Sequence, residues 1–205
     1  TLHSDLNAPH LTTIKSRRAF VTDLRAFAAS LHFDNRSRIS HWNARRDDPR
    51  VGDLFRLFHP LDNDPNSDKF LSVPPLDITF FQVRQPGSET ASFGLGRFAG
   101  TAPHFRDPAI RHSTDLTGSH WHSFCKTQYA SLSQNGGWDN FFKIHDGICR
   151  ILDHAHCLGA QVNVRDDGGY WPNRDADALR KQIDHWNNLI AAFTGRLKDA
   201  FPSKD

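Results

Sequence analysis

Hydrophobic residues recur at spacings of three and four in four segments of the chain, the spacing that gathers them on one face of an α-helix. The predicted helices cover residues 16–32, 49–58, 139–158 and 175–200. Asp48 is placed to cap the second helix, and Gly159 to end the third. The last helix is the most regular, because its apolar residues alternate steps of four and three without a gap: Leu179, Ile183, Trp186, Ile190, Phe193 and Leu197.

Between these helices the hydrophobic period falls to two, which is typical of β-strands. Strands are predicted at 78–84, 91–98, 121–129 and 161–165, the first two joined as an antiparallel hairpin by the turn Gln85–Ser88. Gly94 and Gly96 leave one face of the return strand nearly bare. Such a face is typical of a bulge or of close backbone packing, and the alternative is a surface that a ligand approaches.

The order of elements predicts a single α+β domain, with a small mixed sheet packed against about four helices. Residues 1–13 are expected to be a flexible lead-in, 14–70 a helical N-terminal part and 71–205 the α+β core, with loops at 59–75 and 99–118. If the strands at 121–129 and 161–165 run parallel in one sheet, they end at the same edge and the helix between them forms a right-handed crossover.

Composition excludes several classes of protein. The chain has 205 residues, of which 38% are hydrophobic and 23% charged, with a net charge of +2, so it is globular and carries no broad basic field. Three cysteines are too few for a disulfide framework and favour a reducing, cytoplasmic location. No run approaches the ~20 apolar residues of a membrane span. Acidity rests on 22 Asp and one Glu, and most of these Asp are expected to serve caps and turns.

The first candidate site is the shared edge of the two parallel strands, where ligands bind in many sheets with parallel strands. Asp166 or Asp167 would act as a general base or hold a divalent cation, Lys126 and Arg174 would neutralise an anion, and Tyr170 or Trp171 would stack on a ring. The simpler interpretation is structural: the two Asp belong to a turn, Tyr170 and Trp171 cover the core, and Asp175 belongs to the cap of the last helix. The complete set is Lys126, Gln128, Tyr129, Asp166, Asp167, Tyr170, Trp171, Arg174 and Asp175.

Two histidine-containing segments are weaker candidates. On a strand His120 and His122 point to one side, which suits zinc, but Cys125 points the other way and no third ligand is apparent. On the third helix His145, Cys149, Asp153 and Cys157 are spaced by four, without a companion metal-binding motif. His145 borders the apolar stripe and is more simply a hydrogen-bonded histidine of the core.

Searches for phosphate-binding, dinucleotide-binding and nucleophile-elbow motifs find nothing, so no cofactor beyond a divalent metal is indicated. A pair of catalytic Glu is excluded, because Glu89 stands alone. The leading expectation is therefore a small-ligand pocket at the sheet edge, with acid–base or metal-assisted chemistry. The alternative is an interaction module that binds a protein or nucleic acid through Arg36–Arg50, where an exposed Trp42 would favour nucleic acid. Any exposed part of the last helix would serve homo-oligomerisation.

Overall fold

The computed structural model describes residues 1–33, 35–60, 70–104 and 106–200. Its strands are β1 (Leu2–Ala8), β2 (Ser40–Asn43), β3 (Leu57–Pro60), β4 (Phe70–Val73), β5 (Pro75–Val83), β6 (Ala91–Phe98), β7 (Thr101–Pro103), β8 (Arg111–Ser113), β9 (Ser119–Cys125) and β10 (Gln161–Asp166). Its α-helices are α1 (Ile14–Ser30), α2 (Pro49–Asp53), α3 (Gly137–Cys157), α4 (Tyr170–Asn173) and α5 (Ala176–Ala200). Two short 3₁₀ helices, Gln128–Ser131 and Ser133–Asn135, link β9 to α3.

A six-stranded sheet in the order β10-β1-β9-β6-β5-β2 forms the centre of the molecule, and every neighbouring pair in it is antiparallel. Helix α1 packs against β5, β6 and α3, and the buried stripes of both helices join the core beneath the sheet. The hairpins β3–β4 and β7–β8 bury a second, smaller cluster: Leu71, Val73, Phe98 and Ala102. The α+β class predicted from the order of elements is confirmed.

The expectation of a flexible lead-in at residues 1–13 is wrong. Strand β1 lies between β9 and β10 and pairs with both along its length. Leu2, Leu6 and Ala8 are buried, whereas His3, Asp5 and Asn7 alternate with them on the other face. This strand draws its stability from partners more than a hundred residues away, which is why a local pattern with a buried Ser4 does not reveal it.

Strand β1 also lies between the two strands that were expected to run parallel in one sheet. Both β9 and β10 run antiparallel to β1, so they run parallel to each other across it. Leu2 pairs with Cys125 on one side and with Asp166 on the other, so the two strands end at the same edge as predicted. That edge carries the candidate site.

Four smaller predictions need correction. Helix α2 begins at Pro49 with Asp48 as its cap, but it ends at Asp53, and the chain then forms β3. The expected loop 59–75 includes β4, and its residues 61–69 lie outside the described residues. The irregular stretch 99–118 includes the hairpin β7–β8. The part called helical, 14–70, also supplies edge strand β2 to the central sheet.

The remaining elements are confirmed within a few residues: α1, α3, α5, the β5–β6 hairpin and β10. Gly159 takes a positive φ of 92° just after α3, the conformation expected of a residue that ends a helix. A Cβ at Gly94 would lie 2.5 Å from the carbonyl oxygen of Thr79 and 2.9 Å from the ring of Trp121. The bare face of β6 therefore reflects close packing, the simpler of the two interpretations.

Candidate functional site

The structure divides the predicted edge residues into three groups. Gln128 and Asp167 line a cleft at the end of β9 and β10, and Asp166 is bonded to His145, which also lines it. Tyr170, Trp171 and Arg174 stack together next to α3. Lys126, Tyr129 and Asp175 belong to neither group, because each is exposed and none lines the cleft. The predicted set is thus brought to one end of the sheet without forming a single site.

Asp166 is the centre of the first group. Its side chain is 1% exposed, and its Oδ2 lies 3.2 Å from Nε2 of His145 on α3. Four hydrogen bonds reach this carboxylate, since the backbone N–H groups of the following turn also donate to it: Gly168, Tyr170 and Trp171. Asp166 therefore fixes the turn into α4 and holds the imidazole at the same time.

The other ring nitrogen of His145 reaches the segment that follows strand β9. Nδ1 lies 3.0 Å from the hydroxyl oxygen of Thr127, and both residues are buried. The predicted strand 121–129 ends at Cys125, and Thr127 has helical backbone angles at the start of the first 3₁₀ helix. Simple strand alternation therefore does not apply to Thr127 or Gln128, and Thr127 turns toward α3.

Electrostatics sets the proton positions in this chain of three side chains. Burial alone would raise the pKa of Asp166, but the hydrogen bond from His145, the positive charge of a protonated His145 and the hydrogen bonds from the following turn outweigh it and lower the pKa to about 2. An ionised carboxylate only accepts hydrogen bonds, so Nε2 of His145 carries a proton and donates. Whenever the ring is neutral, Nδ1 is then the acceptor and the Thr127 hydroxyl donates to it.

Thr127 and His145 line a narrow cleft between the sheet edge and α5. The cleft encloses about 20 Å³, space for about one water molecule, and it opens to solvent. Gln128 and Asp167 also line it, and α5 supplies the opposite wall with Leu179, Gln182, Ile183 and Trp186. Nε2 of Gln128 is buried, and none of the residues in the described ranges accepts a hydrogen bond from it. The residues that line the cleft thus include one with a hydroxyl, one with an imidazole and one whose buried amide nitrogen has no acceptor among the described residues.

The second group is a stacked cluster with its own partners. The Arg174 guanidinium lies 4.3 Å from the centroid of the Trp171 ring and contacts both oxygens of Asp153 at 2.8 and 2.9 Å. The Tyr170 hydroxyl donates to Asp146 at 2.7 Å, and burial together with this carboxylate raises the pKa of Tyr170. These contacts attach the connection between β10 and α5 to α3. They agree with the simpler interpretation, in which Tyr170 and Trp171 cover the core.

The remaining edge candidates have simple roles. Nζ of Lys126 lies 3.8 Å from Glu89, with both side chains about half exposed. Asp175 accepts a hydrogen bond from the backbone N–H of Ala178 at 2.9 Å and so caps α5. Tyr129 is 55% exposed, and its side chain has no contact that would place it in the cleft.

The histidine and cysteine candidates do not form a metal centre. His120 and His122 share a face of β9, as predicted, because they pair with Asn7 and Asp5 of β1. His122 is bonded to Asp5 at 2.8 Å, and the described part of the chain holds no group of three or more His, Cys, Asp or Glu suited to a metal. On α3, burial raises the pKa of the Cys149 thiol to about 12, which leaves it unreactive, and Cys157 is exposed.

The arginine-rich segment lacks the exposed aromatic that nucleic-acid binding would favour. Trp42 is 6% exposed, and its indole N–H donates to the backbone oxygen of Asp48 at 2.8 Å. Arg50 pairs with the Asp48 side chain, and Arg36 donates to the carbonyl of Phe33. The arginine side chains of this segment for which the structure shows a partner thus bind residues that lie close to them in the sequence.

Comparison of the chain with known protein families, with curated proteins and with solved structures finds no match in any of the three. Among the described helices none is long and apolar enough to cross a membrane. The sequence analysis did not single out Thr127, and it interpreted His145 chiefly as a hydrogen-bonded histidine of the core, which its burial and its two partners bear out. A signal was present, because a histidine on the apolar stripe of a helix must find buried polar partners.

Proposed function

We propose that the protein hydrolyses or transfers a small acyl group, with Thr127 as nucleophile, His145 as general base and Asp166 as the residue that orients the imidazole. The observation that carries the proposal is the hydrogen-bonded chain Thr127–His145–Asp166, two members of which line a cleft beside the unused donor of Gln128. A hydroxyl bonded to a base that is itself held by a carboxylate is the arrangement used by acyl-transfer enzymes.

In each step of the proposed reaction, a residue of the chain accepts the proton and then donates it. Thr127 Oγ attacks the carbonyl carbon of an ester, and its proton passes to Nδ1 of His145. His145 gives this proton to the departing alkoxide, which leaves as an alcohol. Water then attacks the threonyl ester and yields its proton to Nδ1, and the carboxylic acid leaves as Thr127 recovers that proton. In both steps the Gln128 amide is the donor available to the negatively charged oxygen.

The size of the cleft restricts the substrate. Its enclosed part, about 20 Å³, admits one or two non-hydrogen atoms, so only the end of an acyl group fits. The rest of the molecule would lie in the open mouth, against the apolar residues Leu179, Ile183 and Trp186. We therefore expect acetyl esters to react faster than esters of longer acids.

Hydrolysis of p-nitrophenyl acetate and p-nitrophenyl octanoate by the whole chain tests this proposal. The wild type should prefer acetate. Thr127→Val should lower kcat/KM at least ~100-fold, and Gln128→Met should lower kcat by ~100-fold or more with little change in KM. The matched control is Thr114→Val, because Thr114 is also fully buried and donates to the Ala99 carbonyl far from the cleft.

Labelling gives a second readout that does not depend on the choice of ester. A fluorophosphonate probe should form an adduct on the peptide that contains Thr127, identified by mass spectrometry, and Thr127→Val should abolish it. Circular dichroism should show that the variants are folded. The proposal is wrong if the wild type neither hydrolyses the acetate nor becomes labelled, or if Thr127→Val does both as well as the wild type.

A further inference from the structure

Helix α5 carries one apolar stripe whose exposure rises steadily along the helix. Leu179 and Ile183 are 1% and 7% exposed, whereas Trp186, Ile190 and Phe193 are 38%, 52% and 64% exposed. Asn187 donates to Ser131 at 3.0 Å, and beyond it the described side chains of α5 make no hydrogen bond to another element. The helix therefore leaves the body of the fold near Trp186, with its stripe still apolar.

The exposed half of this stripe has the pattern of a helix seam. The five positions from Leu179 to Phe193 alternate steps of four and three, which are the a and d positions of a heptad repeat. The body of the protein covers the first two positions and part of Trp186, which borders the cleft, whereas Ile190 and Phe193 are more than half exposed. Leu189, 57% exposed, widens the apolar surface beside them.

We propose that this seam binds the same seam of a second copy of the chain, with the two α5 helices antiparallel. A heptad seam is complementary to itself, which favours a second copy over an unrelated partner. The direction follows from the position of the body. Because the body lies on the seam face of the first half of α5, a parallel pair would force the two bodies into the same space, whereas an antiparallel pair overlaps only the free halves.

The surface available is consistent with a dimer of modest stability. The exposed parts of Trp186, Leu189, Ile190 and Phe193 amount to about 400 Å² per copy, taking ~200 Å² for a large side chain. Two copies would thus bury about 800 Å² of apolar surface. With the polar residues beside the seam, the total approaches the ~1,200 Å² at which stable interfaces begin. Dimerisation should therefore depend on protein concentration.

Antiparallel pairing also fixes which positions meet. Full overlap of the two free halves, with a and d layers facing each other, places Ile190 beside the partner's Phe193, so the two copies of position 190 lie within one turn of each other. The two copies of position 186 are then displaced by eleven residues, or ~16 Å along the helix axis. That separation is too long for a disulfide, which needs Cα atoms within ~7 Å.

Sedimentation or light scattering of the full chain across a concentration series tests the dimer. The wild type should be dimeric at high concentration, and Ile190→Asp combined with Phe193→Asp should make it monomeric with an unchanged circular dichroism spectrum. The matched control is Ile110→Asp, because Ile110 is 50% exposed on a different part of the surface. A monomeric wild type at every concentration, or a dimer that survives the double substitution, would overturn the proposal.

Cysteine cross-linking tests the direction, in a background where the exposed Cys157 is replaced by Ser. Ile190→Cys should form an intermolecular disulfide under mild oxidation, and Trp186→Cys should not. Cross-linking at position 186 would overturn the antiparallel arrangement.

Discussion

Among the residues that the structure describes, we compare two buried networks of charged side chains, one of which reaches a cleft. In the first, Asp77 on β5 binds Arg17 of α1 and Arg97 of β6; Arg17 and Asp77 are both 0% exposed. In the second, the His145 and Asp166 side chains are 3% and 1% exposed. Each network centres on a buried carboxylate, but the first joins it to two guanidinium groups, whereas the second joins it to an imidazole that also contacts a hydroxyl.

The difference lies in what each network leaves available. Both carboxylate oxygens of Asp77 bind guanidinium groups, and although Nε of Arg17 has no partner among the described residues, Arg17 lines none of the described cavities. Thr127 and His145 line a cleft, beside a carboxamide with an unused donor. A buried ion pair by itself thus indicates a structural role. A buried pair that also borders a cleft, next to a polar group without a partner, is a candidate for a catalytic or binding role.

The largest expected effect is on the network that has no access to a cleft. Asp77→Ala leaves a fully buried guanidinium without its carboxylate, which should lower the free energy of unfolding by about 3–5 kcal/mol. Urea denaturation measures this loss, and p-nitrophenyl acetate hydrolysis per folded molecule should stay unchanged. Replacing Arg17 by Met and Asp77 by Leu together should cost less than Asp77→Ala alone. A cost below ~1 kcal/mol for Asp77→Ala would contradict the assignment of this network as structural.

A smaller effect, with a defined pH window, is expected at Asp166. Its pKa in the folded protein is about 2, below the ordinary value of 3.8, so ionisation of Asp166 stabilises the fold above pH ~4. That contribution, about 2 kcal/mol, should be lost as the pH falls from ~4 to ~2. Asp166→Asn should remove this part of the acid dependence and also slow ester hydrolysis.

Unfolding measured at several pH values between about 2 and 7 checks the expectation for Asp166. Asp175→Asn is the matched control, because Asp175 is an exposed helix cap for which the same replacement keeps the capping oxygen. If the Asp166→Asn variant loses stability in acid as steeply as the wild type, the hydrogen bonds to Asp166 do not lower its pKa, and the prediction is wrong.

The parts of the fold that could be predicted are those with local signals. Helices α1, α3 and α5 and the β5–β6 hairpin follow from periodicity and from turn residues within each segment. Strand β1 could not be predicted in this way, because its seven residues include buried Ser4 and its partners lie on β9 and β10. The hairpins β3–β4 and β7–β8 are too short, at three or four residues a strand, to show a period.

The candidate site was predictable to the level of an edge, and not to the level of its chemistry. The shared polarity of β9 and β10 brought Gln128 and Asp167 to one place, as the register of Leu2 confirms. The nucleophile and base proposed here depend on a local change of backbone: the chain leaves the strand after Cys125, and Thr127 turns toward His145. The prediction of a strand that continues to Tyr129 therefore places the side chains after Cys125 on the wrong faces.

The smallest expected effect is at Lys126, the cation that was expected to neutralise an anion at the sheet edge. Its ion pair with Glu89 is long, at 3.8 Å, and both side chains are about half exposed, so Lys126→Ala should change the free energy of unfolding by less than ~0.5 kcal/mol. Lys126 does not line the cleft, so hydrolysis of p-nitrophenyl acetate should also stay within about twofold of wild type. A tenfold loss of kcat/KM would mean that the substrate extends past Gln128 to Lys126. An exposed charge would then take part in the chemistry, and the distinction between the cleft and the surrounding exposed charges would be wrong.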